Sequence, residues 1–207
     1  MRGPVVRVLS TVGVLAAVGL GIGCTPAQPT GGKPSSTASP QASRQDLPDC
    51  EALAKAVPES ALRNVKAEDG GSQDTVDDGS RSRRLCTLRG EAADGGPGGF
   101  AVVANRIFTD SYTGVPRQRY LRETANGEVS NACDGGWYTV SGFQWATACY
   151  LPASNGGQVA IGVVSGDTMV VVRGGVFRGE ESPAELRERI TRDALAVTKA
   201  LLSTVQR

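Results

Sequence analysis

The sequence contains no histidine. That absence removes Ser-His-Asp and Cys-His nucleophilic catalysis and every histidine-based metal site. No C-x-x-C pair occurs among its 5 cysteines, which argues against a thioredoxin-type redox site and a zinc ribbon. Glycine-rich segments lack the Lys-Ser/Thr of a phosphate loop. "DGGPGGF" at residues 94–100 reads as a turn, and "GLGIG" at residues 19–23 has no strand, turn and helix around it. Ser141 and Ser165 lie beside glycines but outside a G-x-S-x-G elbow. Carboxylates are plentiful, yet no spacing singles out a catalytic pair. Nor is there an excess of one charge, the net value being +1. Without a basic surplus to neutralise phosphates, nucleic acid is not an expected partner.

The apolar run at the start is short. The chain opens "MRGPVVRVLSTVGVLAAVGLGIGC", in which Arg2 and Arg7 precede an apolar stretch over residues 8–22. A membrane helix needs roughly 20 apolar residues. This run falls short of that, and it contains Ser10 and Thr11. A positive front, an apolar middle and small residues before Cys24 are the layout of a secretory signal over residues 1–23. Leu20, Gly21, Ile22 and Gly23, followed by Cys24, resemble the lipobox of bacterial lipoproteins. The resemblance implies a diacylglyceryl group on the Cys24 thiol, cleavage before it, and frequent acylation of the new amino group. Two or more acyl chains hold a protein stably at a membrane, at about 0.8 kcal/mol per buried CH₂. Cleavage removes two of the 22 basic residues and no acidic one. The remaining 20 then face 21 acidic residues, a net charge of −1.

Residues 24–45 form the next unit. "TPAQPTGGKPSSTASPQASRQ" has no aromatic residue and no Leu, Ile or Val. It cannot bury enough apolar surface to offset the entropy of ordering, so a disordered tether is expected. Flexible-chain scaling gives it a reach of roughly 25 Å. A folded domain should then run over residues 46–207, enough chain for one core.

With Cys24 assigned to the lipid, Cys50, Cys86, Cys133 and Cys149 remain, and four cysteines in an exported chain suggest two disulfides. "CDGGWYTVSGFQWATACYL" reads as a hairpin. If Val140, Ser141 and Gly142 form a three-residue loop, Thr139 faces Phe143 and Cys133 falls opposite Cys149. Opposed residues are close enough to bridge, although Asp134, Gly135 and Gly136 can bulge the pairing. By elimination Cys50 then pairs with Cys86. This is the preferred of three connectivities. The same hairpin gathers Trp137, Tyr138, Phe143, Trp145 and Tyr150 from a chain that is only 5% aromatic. Strand alternation puts Trp137, Thr139, Phe143, Trp145 and Thr147 on one side, and Tyr138, Gln144 and Tyr150 on the other. One side packs in the core. The other offers a binding surface, with Trp137, Tyr138, Trp145 and Tyr150 as its candidates.

The remaining pattern is α+β. Asp49 caps a short helix whose Cys50, Leu53 and Val57 share a face, and Pro58 stops it. Residues 66–84 are polar and glycine-rich and read as a surface loop; the spacing of Asp74, Asp77 and Asp78 does not fit a regular calcium loop. Strands are expected over residues 84–90, 99–110, 159–164 and 168–173, besides the two of the aromatic hairpin. Pro116 opens a second helix that Asn126 and Gly127 end, with Arg117, Arg119 and Arg122 on a solvated face. Ser182, Pro183 and Glu185 begin a long C-terminal helix, and Leu186, Ile190, Ala194, Val197, Leu201 and Val205 form its apolar stripe. The expected architecture is an antiparallel sheet of five or six strands, its first and last helices packed on one face.

The chain resembles a family of small actinobacterial lipoproteins of uncharacterised function. The resemblance rests on the lipobox, the Pro/Ser/Thr tether, "PDCEAL" at residues 48–53, Cys86 within "RLCTL", the later cysteine pair, the Val-rich hairpin and the C-terminal helix. The architecture is also similar to extracellular sensor domains of some actinobacterial Ser/Thr kinases, which bind in a cleft between sheet and loops. The function expected is that of a lipid-anchored, non-enzymatic domain outside the cytoplasmic membrane. It would bind a small molecule, an envelope component or a membrane-protein partner, and no cofactor is implied. Two alternatives stand beside it: a small envelope hydrolase using carboxylates, and a structural accessory of a transporter or cell-wall complex.

Overall fold

Valine dominates the middle of the fold. In the computed structural model, which describes residues 46–71, 81–108, 115–133, 135–177 and 179–207, Val170, Val171 and Val172 are all fully buried. Successive strand residues point to opposite faces. Three buried in a row therefore require cover on both sides of the sheet.

The elements run α1 (Cys50–Ala56), β1 (Arg63–Asp69), β2 (Arg81–Glu91), β3 (Pro97–Ile107), α2 (Arg117–Ser130), β4 (Trp137–Tyr138), β5 (Trp145–Ala153), β6 (Gly156–Ser165), β7 (Thr168–Phe177) and α3 (Pro183–Val205). They form an α+β fold with one antiparallel sheet of seven strands, ordered β1-β2-β3-β7-β6-β5-β4. All described residues belong to the unit Ala42–Arg207. Cys24 with its lipobox, the tether, Asp74, Asp77, Asp78 and Asp134 lie outside the described residues.

Two buried clusters lie against the sheet. One joins Leu53 of α1 and Ile190, Val197 and Leu201 of α3 to Val102, Ile161, Val170 and Val172. The other joins Leu121, Ala125 and Val129 of α2 to Val103, Ala160, Val164 and Val171, which point the opposite way along the same strands. The six predicted stripe residues of α3 are all buried. At its start the Ser182 hydroxyl accepts from the Glu185 N–H and the Glu185 carboxylate accepts from the Ser182 N–H, a capping box. α1 starts as its sequence predicts, with the Asp49 carboxylate accepting from the Ala52 N–H at 2.7 Å.

Four expectations need correction. The sheet has seven strands, because β1 pairs along β2 within a stretch expected to be a loop. β1 is a mostly exposed edge strand, held by its hydrogen-bond ladder without a buried face to mark it. β2 likewise starts at Arg81, three residues early. α2 runs past Asn126 and Gly127 to Ser130, since the Leu121–Ala125–Val129 stripe must reach the sheet. That burial outweighs the roughly 1 kcal/mol that an interior glycine costs. Last, β4 pairs Trp137 with Cys149 and Tyr138 with Ala148, four positions from the three-residue-loop register.

The disulfides are nonetheless Cys50–Cys86 and Cys133–Cys149, with Cα–Cα separations of 5.6 and 6.3 Å. Cys133 reaches Cys149 from the end of α2 and not from a strand, its N–H donating to the Val129 carbonyl at 3.3 Å. The bridges thus fasten α1 and α2 to the sheet. The cysteines are 36 and 16 positions apart. Chain entropy then gives contributions of about 4 and about 3 kcal/mol respectively. Replacing Cys50 and Cys86 together by alanine is expected to cost more stability than replacing Cys133 and Cys149, as read by denaturant unfolding without reductant. The reverse order would show that strain or residual structure, not loop length, governs these bridges.

Candidate functional site

The aromatic side chains of the β4–β5 edge divide between the two faces. Tyr138 and Tyr150 point toward α3. Trp137 and Trp145 point toward the other side, Trp137 remaining 51% exposed and Trp145 resting on the α2 cluster. Phe143 departs from the expected alternation: it packs on the α3 side, because residues 141–144 bend away from the strand. Of the four candidates, then, the structure brings only the two tyrosines together.

A groove of about 710 Å³ lies beside them, between β5 and the first half of α3. Tyr150 and Pro152 border it from the sheet; Ala184, Arg187, Thr191 and Leu195 border it from the helix. These helix positions repeat at three, four and four residues, so they form one stripe flanking the buried one. The walls are mainly apolar. The Arg187 guanidinium lies over both rings, 5.3 Å from the Tyr150 centroid and 5.9 Å from that of Tyr138. Cation–π attraction at such an exposed site is worth about 0.5–1 kcal/mol, which favours this placement of the side chain. Burial raises the Tyr138 hydroxyl above its ordinary pKa, offset in part by the Thr191 hydroxyl and the Arg187 charge, so the phenol stays neutral.

The backbone at Gly136 places Tyr138. Gly136 has φ +67°, and its carbonyl accepts from the Tyr150 N–H at 3.1 Å. A Cβ there would also collide with the Tyr150 carbonyl oxygen. Only glycine meets both conditions.

The sequence reading missed the α3 side of this groove. Arg187 carried no motif, and the signal that could have found it is the Ala184, Arg187, Thr191, Leu195 spacing beside the predicted core stripe.

Further polar clusters stand elsewhere among the described residues. Arg189 binds Glu181, with Nε 2.9 Å from a carboxylate oxygen, and reaches Asp94 at 3.3 Å. Asp193, largely buried nearby, pairs with Arg192 at 3.2 Å. On the other face Glu128 of α2 accepts from Arg83 at 3.2 Å and from Arg173, whose pKa burial lowers with help from the Arg83 charge. Arg119 pairs with Glu123 at 2.8 Å, and Arg117 donates to the Ile107 carbonyl at 3.4 Å. Among the described residues no group of three or more His, Cys, Asp or Glu side chains is placed to hold a metal ion.

Burial raises the Asp193 carboxyl above its ordinary pKa, and Arg192 and Arg189 offset this only in part. A raised folded-state pKa means that the folded protein binds the proton more tightly, so stability falls as pH climbs from the unfolded value through the folded one. Above that window the ionised Asp193 is a net burden. Asp193→Asn is therefore expected to raise Tm at pH 7, and to lose that gain at pH 3, in paired thermal melts. A Tm lowered at pH 7 would show that its ion pairs outweigh its burial.

Comparison of the chain with protein-family models, curated proteins and solved structures finds no match, so the function of the groove has to be argued from its own residues.

Proposed function

We propose that this chain is a lipid-anchored, non-enzymatic binding protein of the cell envelope. In this reading residues 1–23 direct export, Cys24 carries the lipid, and residues 25–45 hold the domain off the outer surface of the cytoplasmic membrane. Both terminal helices cover one face of the sheet, and the groove between α3 and β5 on that face takes a small molecule or an envelope component. The observation that carries the proposal is the groove itself: apolar walls that include Tyr150, and one guanidinium set over the Tyr150 and Tyr138 rings. Few convergent polar groups in an apolar cleft of this size are the usual make-up of a ligand site. The two disulfides support an oxidising compartment.

A carboxylate hydrolase has less behind it. Its best pair, Asp94 and Asp193, meets around Arg189, and although burial raises the Asp193 carboxyl, neither carboxylate lines the groove. A catalytic acid has to reach its substrate. The accessory reading has one observation in its favour. Trp137 and Leu151 are exposed large apolar residues on the same side of β4 and β5, the side away from the groove.

Intact mass of the protein from its native membrane tests the anchor. The expected mass lacks residues 1–23, carries lipid that Cys24→Ser abolishes, and gains about four daltons on reduction, two hydrogens per bridge. An unlipidated mass would overturn the anchor. For the groove, Ala184→Trp fills the space beside Arg187. Native mass spectrometry should show a small-molecule adduct on the parent that this variant loses. An adduct retained by Ala184→Trp, or none on either protein, would count against a groove ligand.

A further inference from the structure

We infer that the groove selects an amphipathic anion: an apolar chain or ring ending in a carboxylate or a phosphate. The inference rests on the groove being a ligand site and adds the class of ligand. Its ground is the set of partners that Arg187 has. Among the described residues no carboxylate lies within ion-pairing distance of its guanidinium, while its neighbours Arg189 and Arg192 are both paired. The guanidinium is instead held by the Tyr138 and Tyr150 rings. With ring contacts and no carboxylate, the guanidinium keeps N–H donors for a ligand, in the fork that fits a carboxylate or phosphate bidentately.

The rest of the lining matches the other half of such a molecule. Pro152, Pro183, Ala184 and Leu195 give apolar contact along the groove. Thr191, one helical turn after Arg187, adds a hydroxyl near the charge. A cationic ligand would meet Arg187 as a like charge, and a neutral one would accept from its donors without meeting its charge. Glu188 and Arg192 stand on the same rim, Arg192 already paired with Asp193. Glu188 thus opposes an anion, and its removal should help one bind.

The test uses the full chain, purified from membranes into phosphatidylcholine discs, and titration calorimetry with four soluble probes sharing one chain: octanoate, octyl phosphate, octanol and octyltrimethylammonium. Octanoate and octyl phosphate are expected to bind saturably and at least about tenfold more tightly than the other two. Arg187→Gln should abolish that preference, Arg187→Lys should restore part of it, and Glu188→Gln should strengthen anion binding. Octanol binding as tightly as octanoate, or an anion preference unchanged in Arg187→Gln, would overturn the inference. If Ala184→Trp still blocks octanol in that case, the groove remains a ligand site and only the anion class falls; if it blocks nothing, both readings fall. Displacement of octyl phosphate by phosphatidylglycerol discs would support the class with a membrane headgroup as its source. Undisturbed binding would support it with a free anion as the source.

Discussion

The fold depends on one constraint: its central strand has no solvent face. Val170, Val171 and Val172 are consecutive and fully buried, and Ile161 and Val163 beside them on β6 are equally dry. A pleated strand can hide consecutive residues only if both faces of its sheet are covered. The chain order meets this need economically. α2 falls between β3 and β4 and covers one face. It also carries the chain from the middle of the sheet to its far edge, where β4 begins. α3 follows β7 and lies over the other face. At 23 residues against 14, α3 extends further along its face than α2 does along the opposite one.

Helices set on a sheet can slide unless something fixes their ends, and here arginines and disulfides do so. The Cys50–Cys86 bridge holds α1, and Cys133–Cys149 holds the end of α2. Arg84, buried, donates to the Leu47 carbonyl at 3.3 Å and so ties down the segment before α1. Arg106, also buried, donates to the Val205 carbonyl in the last turn of α3. There it satisfies one of the orphan acceptors that every helix C-terminus leaves. Near the start of α3, Arg189 gathers Glu181 and Asp94. Arg187 lies two residues before Arg189, so its place over the tyrosine rings follows from α3 being held at both ends. A buried charge is tolerated only with partners, and these partners span 99 positions of sequence in the case of Arg106 and Val205.

Much of this was legible because it leaves a local trace. The Ser182–Glu185 capping box, the α3 stripe and the two valine-rich strands are patterns of period or chemistry within one segment. The cysteine pairing came out as expected although the hairpin register that suggested it does not form, since the end of α2 brings Cys133 to Cys149 and leaves Cys50 for Cys86. The hairpin register was not legible, because Cys133 belongs to the end of α2 and Gly136 turns the chain into β4 by a positive φ that no spacing rule registers. β1 was missed because an exposed edge strand is defined by its partner's hydrogen bonds, and its own sequence, "RNVKAED", is polar throughout except for Val65 and Ala67. The tyrosine half of the candidate site could be read from the clustering of aromatics. The Arg187 half could not, since it depends on how α3 is rotated on the sheet.

The brevity of β4 explains why a groove exists at all. Only Trp137 and Tyr138 pair with β5, so past the Tyr150 N–H bond to the Gly136 carbonyl the edge of β5 gains no further strand among the described residues. Short edge strands limit edge-to-edge association, and Pro152, lacking an N–H, weakens the edge further as a template. Tyr150 itself is buried, its ring lying over Gly157 with the Arg187 guanidinium above it. A carboxylate in place of Thr191 would have reached Arg187 from the same helix face, four residues along, and neutralised it. With threonine there, the guanidinium is ordered by two aromatic faces, which take none of its charge and few of its donors. Such placement without neutralisation costs an exposed residue little. For a residue that meets an anion it reduces the entropy lost on binding.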